Sequence, residues 1–153
     1  MAFTLFTKFP ANVFGGETAG ETKSFDFLSV TTKAALVTSS YTPNQDTDEL
    51  WTDAGISSNE VANGNGYTTG GNTCASPSIT TTAASNRMEF KVNSPAAWTA
   101  SGAGFSFRYI VVYETTNNLL IGFQDYGSTV TLNSGDTFTY TIDTNGLFTT
   151  TVP

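Results

Sequence analysis

The stretch that decides the fold is Phe105-Ser106-Phe107-Arg108-Tyr109-Ile110-Val111-Val112-Tyr113. It begins with alternating apolar and polar residues and ends as a continuous apolar run. Alternation with a period of two is typical of a strand with one buried face, whereas a continuous run is typical of a strand covered on both faces. We therefore expect a central β-strand here.

Further strands are expected on the carboxyl-terminal side, each separated from the next by turn residues. The apolar or Thr-rich stretches are 119–123, 129–132, 137–142 and 147–152, and the turns between them lie at 115–118, 125–127, 133–136 and 145–146. The last turn, Asn145-Gly146, is a two-residue hairpin signal. Five strands in this half predict an antiparallel meander or part of a Greek key.

The first half is less regular. Strands are expected at 24–30, 33–38, 78–82 and 87–92, and the glycine- and asparagine-rich stretch at 63–72 predicts a long loop. Residues 46–55 resemble one or two helical turns, because Asp46 or Thr47 can cap the start and Gly55 can end it. No long helical period and no internal repeat is present.

The composition agrees with an all-β protein. The chain holds 28 Thr, 14 Ser and 12 Asn beside 14 Gly, whereas charged residues make up 12%. Thr is β-branched and suits a pleated surface, and Asn, Gly and Ser favour turns. The predicted fold is an antiparallel β-sandwich, jelly-roll-like or Greek-key-like, with one short helical turn.

Charge and residue usage exclude several classes of function. The formal net charge of −7 leaves no basic face with which to displace phosphate counterions, so nucleic acid is not an expected partner. Histidine is absent, which removes His-based nucleophilic catalysis and His-ligated zinc. The single Cys74 cannot form an intramolecular disulfide. No apolar run reaches the length of a membrane span and the start is not a secretory signal, so no membrane partner is expected.

Carboxylates are the remaining general acids and bases. Glu114, Asp125, Asp26 and Glu89 could supply a glycosidase pair, but nothing in their spacing pairs any two of them. Solvated residues at strand ends are the ordinary interpretation. We therefore expect no catalytic residues, no enzyme activity and no cofactor.

Acidic residues are dense in one short segment, and two interpretations of them stay open. A calcium site is one, but the EF-hand pattern fails because a loop started at Asp46 has Leu50 and Trp51 at ligand and glycine positions. A capped helical turn is the other and the favoured one, so no metal ligand is assigned. The residues concerned are Asn44, Asp46, Asp48, Glu49 and Asp53.

Four aromatic residues, Trp51, Trp98, Tyr41 and Tyr67, could form a platform on which sugar rings stack. Such a platform requires exposed rings, whereas large aromatic residues more often fill a core. The core interpretation is favoured, with Trp51, Tyr67 and Trp98 kept as surface candidates for a glycan-binding alternative. Cys74 is expected to be a small buried residue, because no His can activate it.

The first residues form a separate unit in the predicted domain organisation. Residues 1–22 are either an amino-terminal arm and linker or simply the first strand, and residues 23–153 form the sandwich domain. A glycine-rich stretch at 15–22 follows an aromatic one, which leaves two interpretations open: residues 3–8 are the first strand of the sandwich, or they belong to an arm that lays its side chains on a neighbouring molecule. The candidate capsid or oligomer contacts are Phe3, Leu5, Phe6, Phe9 and Phe14.

Several stretches resemble a family of small structural proteins of tailed-bacteriophage virions. They are the run from Lys33 to Asp48 (KAALVTSSYTPNQDTD), Asn59-Glu60-Val61 leading to Gly66–Gly71, and the pair formed by Tyr109–Tyr113 and Leu119–Gly127. The closing strand around Phe148 fits the same pattern. The resemblance covers about residues 33–150, and residues 1–30 depart from the family pattern, which often has a short helical lead-in.

The resemblance implies a capsid decoration, or cement, protein that binds the outer surface of the phage head and stabilises the lattice against DNA pressure. The implied partners are the major capsid protein and further copies of the chain, with a trimer expected before a dimer. Synthesis in the host bacterial cytoplasm is consistent with one unpaired cysteine. A tail or fibre component, or a host-glycan-binding module, is the alternative. If the arm interpretation is correct, deletion of residues 2–16 leaves a folded domain that no longer coats heads.

Overall fold

The structure is a computed structural model and describes residues 2–14, 26–53 and 55–151. In this part of the chain there are ten strands, one short helix and two 3₁₀ turns. They are β1 (Thr4–Leu5), α1 (Lys8–Phe14), β2 (Thr32–Val37), a 3₁₀ turn (Ser57–Asn59), β3 (Asn72–Cys74), β4 (Ser78–Thr82), a 3₁₀ turn (Ala83–Ser85), β5 (Arg87–Lys91), β6 (Trp98–Thr99), β7 (Phe105–Glu114), β8 (Leu120–Leu132), β9 (Thr137–Phe138) and β10 (Phe148–Thr151).

The largest sheet has five antiparallel strands in the order β1-β8-β7-β2-β3. β7 is its middle strand, and the residues from Tyr109 to Glu114 are all buried. The sequence therefore predicted the central strand correctly, and its continuous apolar run follows from burial on both faces. The prediction of an all-β, antiparallel fold is confirmed.

The two faces of this sheet belong to two different cores. Ala34 and Leu36 of β2 point into the first core, and Ala35 and Val37 point into the second. The first core lies between the large sheet and two smaller sheets, with order β10-β5-β4 and β6-β9, which makes the fold sandwich-like. The second core is covered by Tyr41, Trp51 and Ile56 from the following loops and by Phe6.

A wide irregularity between β7 and β8 changes which residues face each core. Phe107 pairs with Val130 and Tyr109 with Asp125, so that Arg108 alone lies opposite four residues of β8. Phe107 consequently faces the first core and Tyr109 the second, although alternation would place them on one face. The predicted turn at 125–127 is this irregularity, and the separate strands predicted on its two sides are one strand, β8.

The carboxyl-terminal hairpin prediction is wrong in its pairing. Gly146 does adopt a turn conformation with φ of +94°, but β10 pairs with β5 instead of with the strand that precedes the turn. The strand predicted at 137–142 is shorter than expected, since β9 ends at Phe138. Tyr140 and Ile142 are nevertheless buried in the first core.

The amino-terminal segment packs on the body. β1 pairs with β8 through Thr4 opposite Phe123 and Leu5 opposite Gly122, and α1 follows it. Phe6 and Phe9 are both 0% exposed, and Phe3 and Leu5 pack against the first core. Residues 2–14 therefore pack on the body as the first-strand interpretation requires, whereas the helix α1 that follows β1 was not predicted from the sequence. The linker of the arm interpretation, residues 15–22, lies outside the described residues.

Two more local predictions can be compared with the structure. Residues 46–53 contain single turns, in which the amide of Asp48 donates to the carbonyl of Asn44, as in one turn of an α-helix, and that of Asp53 donates to Leu50. Of the strand predicted at 24–30, residues 26–30 form a turn in which the Leu28 amide donates to the Asp26 carboxylate. In the described ranges no helix has both the length and the apolar character needed to cross a membrane.

Candidate interaction surface

The structure buries the aromatic residues that were candidates for a sugar platform. Trp51 stacks on Tyr113 with ring centroids 4.5 Å apart, and Trp98 stacks on Phe138 at 5.9 Å. Tyr67 is 2% exposed, and its hydroxyl donates to Glu60 Oε1 over 2.6 Å. The favoured interpretation, that these rings fill the core, is correct, and the exposed face that the glycan-binding alternative requires of Trp51, Tyr67 and Trp98 is not formed.

The four acids considered for catalysis lie in separate structural environments. Glu114 is 0% exposed, and its carboxylate accepts hydrogen bonds from the amides of Thr116, Asn117 and Leu119. It therefore holds the turn that joins β7 to β8, at the end of β7 where the sequence placed it. A buried carboxylate with three backbone donors is well satisfied without a ligand.

The other three acids have partners of their own. Asp125 forms a two-pronged ion pair with Arg108, which is the largest cause of a lowered pKa of its carboxyl group. Glu89 lies between Arg87 and Lys91 on β5, and Lys91 is the largest cause of its lowered pKa. The Asp26 carboxylate accepts from the backbone of Leu28.

Carboxylates of the acidic segment 44–53 also accept hydrogen bonds within turns. Asp48 accepts from the Tyr41 hydroxyl and from the Asn44 amide, and Asp53 accepts from the amides of Glu49 and Leu50. Burial, and then the contact with Asp48, raises the pKa of Tyr41. Among residues 2–14, 26–53 and 55–151, no group of three or more Cys, Asp or Glu side chains is arranged to hold a metal ion.

Cys74 lies on β3 and is 1% exposed. Burial raises its pKa to about 12, so that the thiol is protonated at neutral pH. The thiolate is the nucleophilic form, and burial disfavours it. The prediction that Cys74 is a small buried residue is confirmed.

Two surface depressions adjoin at Ile142 and Asp143. They have volumes of about 380 and 320 Å³, and the second is lined by Lys91, Asn93 and Ser94 among other polar residues. Asp143 is the one carboxylate among the described residues that line either of them. A pair of carboxylates for glycoside hydrolysis is therefore not assembled at these sites.

The most distinctive exposed feature is the outer edge of β4. β4 pairs with β5 on one side, and within the described part of the chain no strand pairs with its other side. Ile79 is 39% exposed and is one of two large apolar side chains described as exposed, the other being Leu28. An unpaired edge presents backbone N–H and C=O groups that another strand can bind.

This edge carries no charge. Residues 61–86 hold no Asp, Glu, Lys or Arg, and residues 79–86 are all exposed. Natural sheets usually protect an edge strand with lysine, proline or an inward-pointing charge. β4 reads Ser-Ile-Thr-Thr-Thr and has none of these within it, so its edge is open to association.

The side chains of β4 and β5 form two rows, one on each face of the three-stranded sheet. Ile79 lies opposite Phe90, which stacks on Phe148 with centroids 4.0 Å apart, so an apolar row crosses the three-stranded sheet and ends at the edge. On the opposite face Thr80 donates to Glu89, between Arg87 and Lys91. The three-stranded sheet therefore has an apolar row on one face and a row of hydroxyl and charged groups on the other.

The sequence predicted β4 with its observed bounds but not its place at an edge. The order of strands in a sheet depends on distant pairings, which local periodicity does not contain. The uncharged run at 61–86 was the available signal. Comparison of the chain with protein-family models, curated proteins and solved structures finds no match.

Proposed function

We propose that the protein is a phage capsid decoration protein that binds the outer surface of the head and stabilises the capsid lattice. The proposal comes from the resemblance over about residues 33–150. The residues that carry this resemblance include Lys33–Val37, Tyr109–Tyr113 and Leu120–Gly127. They lie in β2, β7 and β8, the three inner strands of the large sheet, so the resemblance concerns the scaffold of the molecule.

The hydrogen bonds and ion pairs of the acidic side chains support the non-enzymatic part of this proposal. Glu114, Asp125 and Glu89 each bind a separate set of donors within the fold, so none is left paired with another for proton transfer. A protein that acts by binding alone needs a stable body and an association surface. The sandwich-like fold meets the first of these two requirements.

The mechanism is thermodynamic linkage. A ligand that binds only the mature lattice stabilises it by RT ln(1 + [L]/Kd) at each site. If several copies are joined, neighbouring sites are engaged at high effective concentration, which adds avidity without any new contact. The acidic net charge of −7 keeps such a protein soluble at high copy number.

Purified protein added to heads that lack it tests the proposal. We expect the heads to bind copies in numbers comparable to the major capsid subunits and to release their DNA at a higher temperature. Isolated tails from the same phage serve as the control and should bind no protein. Binding confined to tails, or to host polysaccharide, would favour the alternative of a tail or glycan-binding module, and heads left bare would refute decoration.

A further inference from the structure

We propose that the β4 edge is a self-association surface, on which β4 of a second copy pairs antiparallel about a twofold axis. The two three-stranded sheets then join into one sheet of six strands. This inference does not rest on the proposed function, since it concerns the chain alone. It follows from the unpaired outer side of Ser78–Thr82 and from the exposed Ile79 at that edge.

The edge is self-complementary. In an antiparallel pair each strand supplies both donors and acceptors to the other, so two identical strands related by a twofold axis satisfy one another. The inner faces of both copies then lie on the same side of the joined sheet. Ile79 of each copy gains a neighbouring strand, which extends the apolar row formed by Phe148 and Phe90.

Charge favours a second copy as the occupant. Two molecules with a net charge of −7 repel at most surfaces, but β4 contributes no charge to the contact. The nearest charged groups on its sheet, Arg87, Glu89 and Lys91, lie one strand behind the edge. Across the joined sheet the two β5 strands are three strand spacings apart, about 14 Å. That distance exceeds the Debye length of about 8 Å at physiological salt.

Lysine placed on this edge is the test. In Thr81→Lys a charge replaces an exposed residue on the same face as Ile79, and a lysine on an edge strand opposes its pairing with another strand. Thr129→Lys on β8 is the matched control, because Thr129 is an exposed strand residue outside this edge. Circular dichroism and thermal unfolding establish that both variants fold.

Sedimentation velocity of the full chain from about 1 µM to about 1 mM gives the mass. We expect the unmodified chain and Thr129→Lys to form a dimer, and Thr81→Lys to sediment as a monomer over the same range. Amides of residues 78–82 should exchange more slowly as concentration rises. A chain that stays monomeric, a trimer, or a dimer unchanged by Thr81→Lys would each overturn the pairing.

Discussion

Arg108 and Asp125 form a two-pronged ion pair across the irregularity between β7 and β8. Nε of Arg108 lies 2.9 Å from Oδ1 of Asp125, and the second guanidinium nitrogen lies 3.0 Å from Oδ2. Oδ1 also accepts from the amide of Gly127, whose φ is +76°. One carboxylate therefore joins the two strands and holds the local turn of β8.

Replacement of this carboxylate is expected to reduce stability in a pH-dependent way. The folded-state pKa of Asp125 is lowered, first by the hydrogen bond from Arg108. Its contribution is therefore present above the ordinary carboxyl pKa of about 3.9 and is lost as pH falls through the lower folded value. Asp125→Asn should have a smaller free energy of unfolding than the unmodified chain at pH 7, and the difference should shrink as the pH is lowered through the folded-state pKa of Asp125.

Urea unfolding at a series of pH values measures this difference. Arg108→Gln and the double variant complete a mutant cycle that separates the ion pair from the bond to Gly127. If the difference in the free energy of unfolding between Asp125→Asn and the unmodified chain were the same at pH 2 and pH 7, protonation of Asp125 would not be linked to folding.

The same region shows what local sequence can and cannot predict. Asp125 and Gly127 were predicted to end one strand and begin another, and the structure has an irregularity there, but the chain continues in β8 because distant β7 pairs with both sides of it. Asn145-Gly146 likewise forms a turn, yet β10 pairs with β5, which is far away in sequence. Periodicity therefore identifies strands, whereas pairing depends on the whole sheet.

The candidate interaction surface could be predicted only in part, for the same reason. The sequence showed β4 and the apolar character of Phe6 and Phe9, but not which surface each would meet. β4 is an edge strand only because nothing described lies beyond it, and Phe6 and Phe9 are buried only because β8 and the two cores accept them. These are relations between distant parts of the chain, which a local pattern does not contain.

Gly71 is expected to be intolerant of a side chain. Its φ is +70°, and a Cβ atom there would lie 2.0 Å from the carbonyl oxygen of Ala34 on β2. Gly135 has φ of +93° but open space around it, so it is a matched control. Gly135→Ala should cost about 1–2 kcal/mol from backbone strain, and Gly71→Ala should cost about 1–3 kcal/mol more from the clash. Equal losses in thermal or urea unfolding would show that the two backbones do not approach so closely.

Glu60 is expected to give a pH dependence of the opposite sign from that of Asp125. Its carboxylate accepts from the Tyr67 hydroxyl and from the Gly70 amide, both over 2.6 Å, but burial is the largest effect and raises its pKa. The folded state therefore holds the proton more tightly, and stability falls as pH rises from about 4.3 through the raised value. The stability of the unmodified chain relative to Glu60→Gln should be lower at pH 7 than at pH 4.

Tyr67→Phe provides a second measurement of that network. The hydrogen bond from Tyr67 lowers the pKa of Glu60, so its removal should extend the pH dependence upward. The Leu36 amide also loses its acceptor, at a cost of about 1–3 kcal/mol. Urea unfolding of each variant at several pH values gives both quantities, and a pH profile of Tyr67→Phe identical to that of the unmodified chain would contradict the assignment.

Phe9 is expected to anchor the amino-terminal segment to the body. It is 0% exposed and meets the ring of Phe148 edge-on at 5.4 Å, so Phe9→Ala leaves a cavity in the first core. The expected loss is about 3–5 kcal/mol. For the same reason deletion of residues 2–16 should destabilise the domain instead of leaving it intact. Thr7→Ala is the control, because the hydroxyl of Thr7 is exposed and donates to Asp46 at the surface, so its removal should change stability by about 0.5 kcal/mol at most. If Phe9→Ala unfolds in urea at the same midpoint as Thr7→Ala, the segment does not pack on its own body in solution, and a contact between Phe9 and a neighbouring molecule becomes the better account of this residue.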